Sequence, residues 1–271
     1  LLFIIIKFDF NKKTSPQEVY LIAKSKDPKF EYWQKVKEGA KISAQELGVE
    51  LIFQGALREI DVDEQIRLIE EAIEKKPLGI VIAPSDYKRL TPVVEKAIDQ
   101  GINCVLIDCF IDTDYDISLI GTNNVNGAKI IADEMAKSIN MKGKVAVMGH
   151  VERTTTAMER DKGFREAMRR YPNILVLEKT WYSDGIESKA YREALNILYE
   201  HKDINGIFGT NEKTVMGIAK AIEEKGLKDQ ISLFGFDGNY EEVYYMEKDI
   251  LSAVVVQRPF NMGYLGIKTV V

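Results

Sequence analysis

The sequence predicts an α/β protein made of two Rossmann-like lobes with parallel sheets, joined by hinge strands. One observation is a repeat. LGIVIAPSD (Leu78 to Asp86), a helical stretch to Gln100 and GINCVLID ending at Asp108 are answered in the second half by NGIFGTNE (Asn205 to Glu212), a helical stretch to Gly226 and QISLFGFD ending at Asp237. A second is the alternation of short apolar runs with amphipathic stretches from Val19 nearly to the end, the pattern of parallel strands buried on both faces and linked by crossover helices. A third is that no Gly/Ser-rich or Pro-rich linker divides the halves. Two like units joined by short segments, each with polar groups at its strand ends, suggest lobes facing one another across a cleft.

The apolar runs place strands at Val19 to Ser25, Val49 to Gln54, Gly79 to Ala83, Cys104 to Asp108, Ser118 to Gly121, Lys144 to Gly149, Leu175 to Trp181, Gly206 to Gly209, Ser232 to Phe236 and Ser252 to Gln257. Between them apolar residues recur at three- and four-residue steps, as in Ile66, Ile69, Ile73 and again Val93, Val94, Ala97, with Glu and Lys on the other face. Such stripes are core rather than cofactor contacts. The chain is expected to cross between lobes near Ile120 to Asn124 and again near Gln257 to Pro259. That assigns residues 19–122 with 258–271 to the N-terminal lobe and 123–257 to the C-terminal lobe. LLFIII (Leu1 to Ile6) is far short of the about twenty apolar residues that span a bilayer, so residues 1–18 read as a leader or anchor remnant in preference to an extra edge strand. The helical pattern from Phe260 is still running at Val271, so a natural version is expected to continue.

With 271 residues, 45% of them hydrophobic, the chain can bury two cores of ordinary size. Its 37 basic and 42 acidic residues give a net charge of −5. That leaves no positive field to hold a nucleic-acid backbone, so nucleic acid is excluded as a partner. Cys104 and Cys109 lie at an odd spacing along one strand, which sends their side chains to opposite faces and argues against a bridge. Only His150 and His201 could supply imidazole, in unrelated places. No metal and no cofactor is expected.

In open parallel sheets, ligands bind beyond the carboxyl ends of the strands. Asp108, Arg160, Asn211, Asp237 and Gln257 fall there, and such a set suits neutral polyhydroxylated molecules. A carboxylate accepts from two neighbouring hydroxyls, an amide donates and accepts, and a guanidinium donates as a planar fork. Each has a plainer reading as well. The aspartates fit turn starts, Asn211 fits a helix N-cap, and Arg160 fits a solvated helix surface. Phe30, Tyr32 and Trp33 cluster after the first strand, while Trp181 and Tyr182 end another, and an aromatic face can pack on the C–H side of a sugar ring or fill a core. At least one ring from each group is expected in the cleft. Catalytic residues are not expected: G-x-G-x-x-G after a strand, the P-loop pattern and the G-x-S-x-G elbow are all missing from the sequence. Asp108 and Asp237 could be drawn as a glycosidase pair. An arginine and two amides beside them would keep both ionised, however, and a general acid needs the reverse.

At these residues the chain resembles the ribose- and galactose-binding periplasmic proteins, whose fold is the type I periplasmic-binding-protein fold. The likeness runs from Val19 onward through GIVIAPSD, IGTNNVNGAK (Ile120 to Lys129), ERDKGF (Glu159 to Phe164), GTNEKTVMGI (Gly209 to Ile218), LFGFDG (Leu233 to Gly238) and VVVQRPFNMGYLG (Val254 to Gly266). It implies that Arg160, Asn211, Asp237 and Gln257 contact a ligand, with Asp108 opposite. Three departures stand out: Cys109 follows Asp108 where the family commonly has arginine, DPKFEYW (Asp27 to Trp33) replaces a compact Asn-Pro-Phe-Phe loop, and Ala83 stands where asparagine is frequent. The resemblance implies an extracytoplasmic, non-enzymatic receptor, periplasmic or extracellular and open to membrane anchoring. It would act as a monomer that captures a monosaccharide or related polyol and delivers it to the permease of an ABC-type importer. The alternative is the extracellular sensor domain of a membrane receptor such as a histidine kinase. The effector-binding core of a lactose-repressor-like regulator is disfavoured, because no helix-turn-helix pattern precedes Val19.

Overall fold

In the computed structural model, which describes residues 17–271, β1 (Glu18–Ala23) is the second strand of a five-stranded parallel sheet. Its sequence EVYLIA is buried almost throughout, as a strand covered on both faces must be. It pairs with β2 (Glu50–Gly55) on one side and β3 (Gly79–Ile82) on the other, and β4 (Asn103–Ile107) and β5 (Ser118–Ile120) complete the order β2-β1-β3-β4-β5. A second parallel sheet repeats the plan as β10-β9-β8-β6-β7, from β6 (Gly143–Gly149), β7 (Ile174–Tyr182), β8 (Gly206–Gly209), β9 (Ser232–Asp237) and β10 (Leu251–Val256). All ten predicted strands are present, their ends within two residues of the sequence reading. The LLFIII stretch, read as a leader or anchor remnant, lies outside the described residues.

Helices cover both faces of each sheet: α1 (Glu31–Leu47), α2 (Val62–Glu74), α3 (Thr91–Asp99), α4 (Asn124–Ser138), α5 (Thr155–Met168), α6 (Glu187–Glu200), α7 (Glu212–Lys225), α8 (Tyr240–Glu247) and α9 (Pro259–Val270). Each sheet therefore carries two apolar clusters. In the first sheet, Val19, Leu21 and Val81 face α1 and α9, while Ile22, Ile80 and Ile82 face α2 and α3. Of the stripes read from the sequence, Ile69, Ile73, Val93, Val94 and Ala97 belong to the second of these clusters, and Ile66 packs against it half-buried.

The last helix returns to the first sheet. It packs along α1 at glycine-to-backbone distance: a Cβ on Gly263 would fall 1.9 Å from the Val36 carbonyl oxygen, and one on Gly39 1.9 Å from that of Phe260. The polypeptide thus passes from one sheet's layers to the other's at residues 121–123, between β5 and α4, and back at 257–258, between β10 and α9. Two short crossings are the usual basis of rigid-body hinge motion.

Candidate functional site

Asp108 directly follows β4 and Asp237 closes β9, each with an unusual backbone. Asp108 has φ of 64° and Asp237 of 110°, values that non-glycine residues seldom adopt and that persist where the surroundings dictate them. Both side chains are turned into a shared cavity between the sheets' carboxyl ends. It is lined by Lys24, Phe30, Tyr32, Trp33, Glu59, Asp108, His150, Thr156, Arg160, Asn211, Asp237 and Gln257. The cavity holds about 230 Å³ of atom-free space, of which about 20 Å³ admits the centre of a water molecule. As the lobes stand, that is room for about one water.

The polar groups around it are bonded to each other. Lys24 Nζ donates to Asp108 Oδ2 at 2.6 Å, and the Tyr32 hydroxyl donates to Oδ1 at 2.9 Å. Arg160, buried at 2% exposure, donates to Asn124 and to the Thr210 carbonyl. Its guanidinium lies 3.8 Å from Asp237 Oδ1 and over the Phe236 ring at 4.2 Å. Gln257 donates to Asp237, whose other oxygen accepts the Glu212 backbone N–H at 2.7 Å. Asn211 caps α7, its amide oxygen accepting from Thr214 N at 3.0 Å, so its NH₂ is what it can offer a ligand.

Two cations, Lys24 and Arg160, face three carboxylates, Glu59, Asp108 and Asp237, around the cavity. Burial pushes the Asp108 carboxyl up, but Lys24 and Arg160 outweigh it and hold Asp108 below its ordinary value. Burial would lower Lys24, yet Asp108 keeps it firmly protonated. Burial raises Asp237 despite Arg160 and Gln257, and it keeps His150 neutral with help from Lys24 and Arg160. A desolvated space ringed by two cations and compensating carboxylates disfavours a guest with net charge and suits one that offers many hydroxyls.

The lobes meet on either side of the cavity. Tyr87 N donates to the Arg153 carbonyl at 3.0 Å beside an Asp86–Arg153 ion pair, and Phe110 N donates to Thr155 Oγ1 at 3.0 Å. On the other rim Lys213 Nζ donates to the Lys29 carbonyl at 2.8 Å. The structure is a closed one.

Of the residues singled out from sequence, Phe30, Tyr32, Trp33, Asp108, Arg160, Asn211, Asp237 and Gln257 come together at the cavity. Trp181 does not, which corrects the expectation for the second aromatic group. It sits within β7, so its side chain stands on the sheet face rather than beyond the strand end. There it is 3% exposed among Met148, Ala194 and Ile218, edge-on to His201 at 6.0 Å. Tyr182 does not line the cavity either. Lys24, Glu59, His150 and Thr156 do, without having been predicted. Lys24 had a legible signal, a lone cation closing an otherwise apolar strand, whereas Glu59 sits in an aperiodic loop.

A model of the periplasmic binding protein domain matches residues 19–271. The D-ribose/D-allose-binding protein of Pseudomonas aeruginosa is 29% identical over 248 residues, 88% of this chain and 77% of that protein. Among solved structures, a carbohydrate-transporter solute-binding protein from Agrobacterium radiobacter, in complex with D-arabinose, superposes with a TM-score of 0.90. It is 30% identical and covers 95% of this chain and 88% of its own. An ABC transporter solute-binding protein from Agrobacterium vitis with bound D-fucose gives 0.89 at 29% identity, covering 93% and 88%. With the family model spanning all but the first residues and both sheets in the same arrangement, the chain belongs to the type I periplasmic sugar-binding proteins.

Proposed function

We propose that the protein is an extracytoplasmic solute-binding receptor that closes on a monosaccharide or related polyol and presents it to an ABC-type importer. One observation carries the reading: Asp108 from the first lobe and Arg160, Asn211, Asp237 and Gln257 from the second converge on one buried cavity lined by groups of both charges. The kinds of ligand named for its relatives, D-ribose, D-allose, D-arabinose and D-fucose, are neutral and hydroxyl-rich, as that cavity requires. The importer reading is favoured over a sensor because the two Agrobacterium proteins that this chain resembles are solute-binding components of transporters.

Binding is a matter of closure, with no covalent step. A sugar enters as the lobes part about residues 121–123 and 257–258, and its hydroxyls exchange with the direct bonds among Lys24, Tyr32, Asp108, Asp237 and Gln257. Closure is then favoured because groups on both lobes are satisfied together only around the guest. The receptor acts as a monomer, and among the described residues no helix is long and apolar enough to cross a membrane. A thermal-shift screen over pentoses, hexoses and polyols tests the reading, since a ligand that binds only the folded form raises its melting temperature. A rise with one or a few sugars is expected, and a flat response across the panel would overturn it.

A further inference from the structure

Glu59 is the one cavity-lining carboxylate whose bonding is incomplete. It sits in the loop between β2 and α2, which is tied to the end of β1 by Lys26 N donating to the Ala56 carbonyl at 2.8 Å and Ser25 Oγ donating to that of Leu57 at 2.9 Å. The residue is 4% exposed. Its Oε1 accepts the Trp33 indole N–H at 2.9 Å, which fixes the carboxylate plane. Its Oε2 is buried and has no hydrogen-bond partner among the described residues.

A buried oxygen left without a donor is destabilising, and native structures seldom retain one without a use. The position of Oε2 suggests the use. Glu59 and Phe30 are the two residues shared by the inner cavity, with its 230 Å³ of atom-free space, and a larger outer pocket with about 1070 Å³ by the same measure, which opens along the rim between the lobes. The carboxylate therefore forms the wall between ligand space and exterior. Across the cleft the backbone yields to it: Gly185, at φ of 67°, has no side chain, and a Cβ there would lie 3.1 Å from Oε2. Burial pushes the Glu59 carboxyl above its usual range against the pull of Lys24 and of the Trp33 bond, consistent with a group not yet fully solvated by partners.

We propose that Glu59 is a specificity-determining contact whose Oε2 accepts a hydroxyl of the bound sugar on the side facing the outer pocket. This role rests on the sugar-binding reading above. It supplies an acceptor with no bond to give up, whereas Asp108 must first exchange those from Lys24 and Tyr32. It also makes the outward-facing hydroxyl of the guest one that the protein selects, because a sugar lacking or inverting that group would leave Oε2 bare in the closed state.

Glu59→Gln keeps an acceptor for Trp33 and turns the Oε2 position into a donor, so it changes the contact without emptying the space. Calorimetry with D-ribose, D-allose, D-arabinose and D-fucose, on the wild type and on this variant, decides the matter. The tightest of the four should lose about 10- to 100-fold in affinity, the order of the four should change, and the ligand-free melting temperature should stay within about a degree of wild type. Unchanged affinities overturn the role of Glu59 while leaving the sugar-binding reading in place. An equal loss for all four sugars together with a lowered melting temperature also overturns it, making Glu59 a support for Trp33. No heat from any of the four with the wild type overturns the sugar-binding reading and the Glu59 contact with it.

Discussion

The carboxylate of Glu212, on the second lobe, accepts the backbone N–H of Tyr32, on the first, at 3.2 Å, and that of Glu31 at 3.3 Å. These are the first N–H groups of α1, whose own N-cap residue, Phe30, provides no side-chain bond. The opposite lobe thus caps the helix that carries Tyr32 and Trp33 toward the cavity. The exchange is reciprocal: Glu31 Oε2 accepts from Tyr240 N, in the first turn of α8, at 3.2 Å. Closure of the lobes and completion of these helix ends are one event.

Replacing Glu212 with alanine should therefore loosen the closed form. A lost N-cap is worth about 1 kcal/mol, enough to weaken sugar affinity about fivefold and to raise the radius of gyration of the ligand-free protein in small-angle scattering. Affinity and scattering identical to wild type would show that the latch contributes nothing to closure.

The same residue predicts a pH dependence. Burial, then the neighbouring Asp237, push the Glu212 carboxyl up to about 7. Between the ordinary carboxylate range and pH 7 the folded protein holds a proton that the unfolded chain has released. Stability from this residue is thus greatest at the acid end of that window and falls as pH rises through it. At about 1.4 kcal/mol per unit, the change is at most about 3 kcal/mol. The melting temperature of wild type relative to Glu212→Gln should fall between pH 5 and pH 7.5; a rise would contradict the assignment.

The Lys24–Asp108 pair makes a third prediction. Both are nearly inaccessible, at side-chain exposures of 2% and 6%, so Asp108→Ala strands a buried ammonium. Removing one partner of such a pair costs about 3–5 kcal/mol, read as a fall in denaturation midpoint at unchanged slope. Adding Lys24→Met to Asp108→Ala should restore most of the loss. A double variant no more stable than the single one would mean that the two residues act independently.

How far the sequence reaches is shown by Trp181 and Lys24. Continuous apolar runs located every strand, because parallel strands buried on both faces are apolar whatever their neighbours do. It also located Asp108 and Asp237, because the ends of those runs are where loops and ligands meet. Which way a side chain points from a given strand end depends on register, and β7 carries a register shift between Val145 and Val147 of its partner β6 that a single sequence does not display. Trp181 consequently faces the α6–α7 core. Glu59 and Thr156 reach the cavity through pairing between distant segments, for which local periodicity has no mark.

The α1–α9 contact should be as intolerant as its geometry implies. Gly263→Ala places a methyl on the Val36 carbonyl, and overpacking of this kind typically costs about 1–3 kcal/mol. A lower melting temperature with sugar affinity retained at low temperature is expected. Wild-type stability in this variant would contradict the close approach of the two helices.

The central claim is that strand-end carboxylates of two sheets face one closable cavity that takes a neutral, hydroxyl-rich guest. Titration calorimetry of the best sugar from the thermal screen into wild type and Asp237→Asn tests it most directly. The variant should bind more weakly by roughly 2–5 kcal/mol, compared at a temperature where circular dichroism shows both proteins folded, since its amide NH₂ must face the donor of Gln257 or of Glu212 and lowers stability as well. Equal affinity in the two proteins would place Asp237 outside the site and contradict the account.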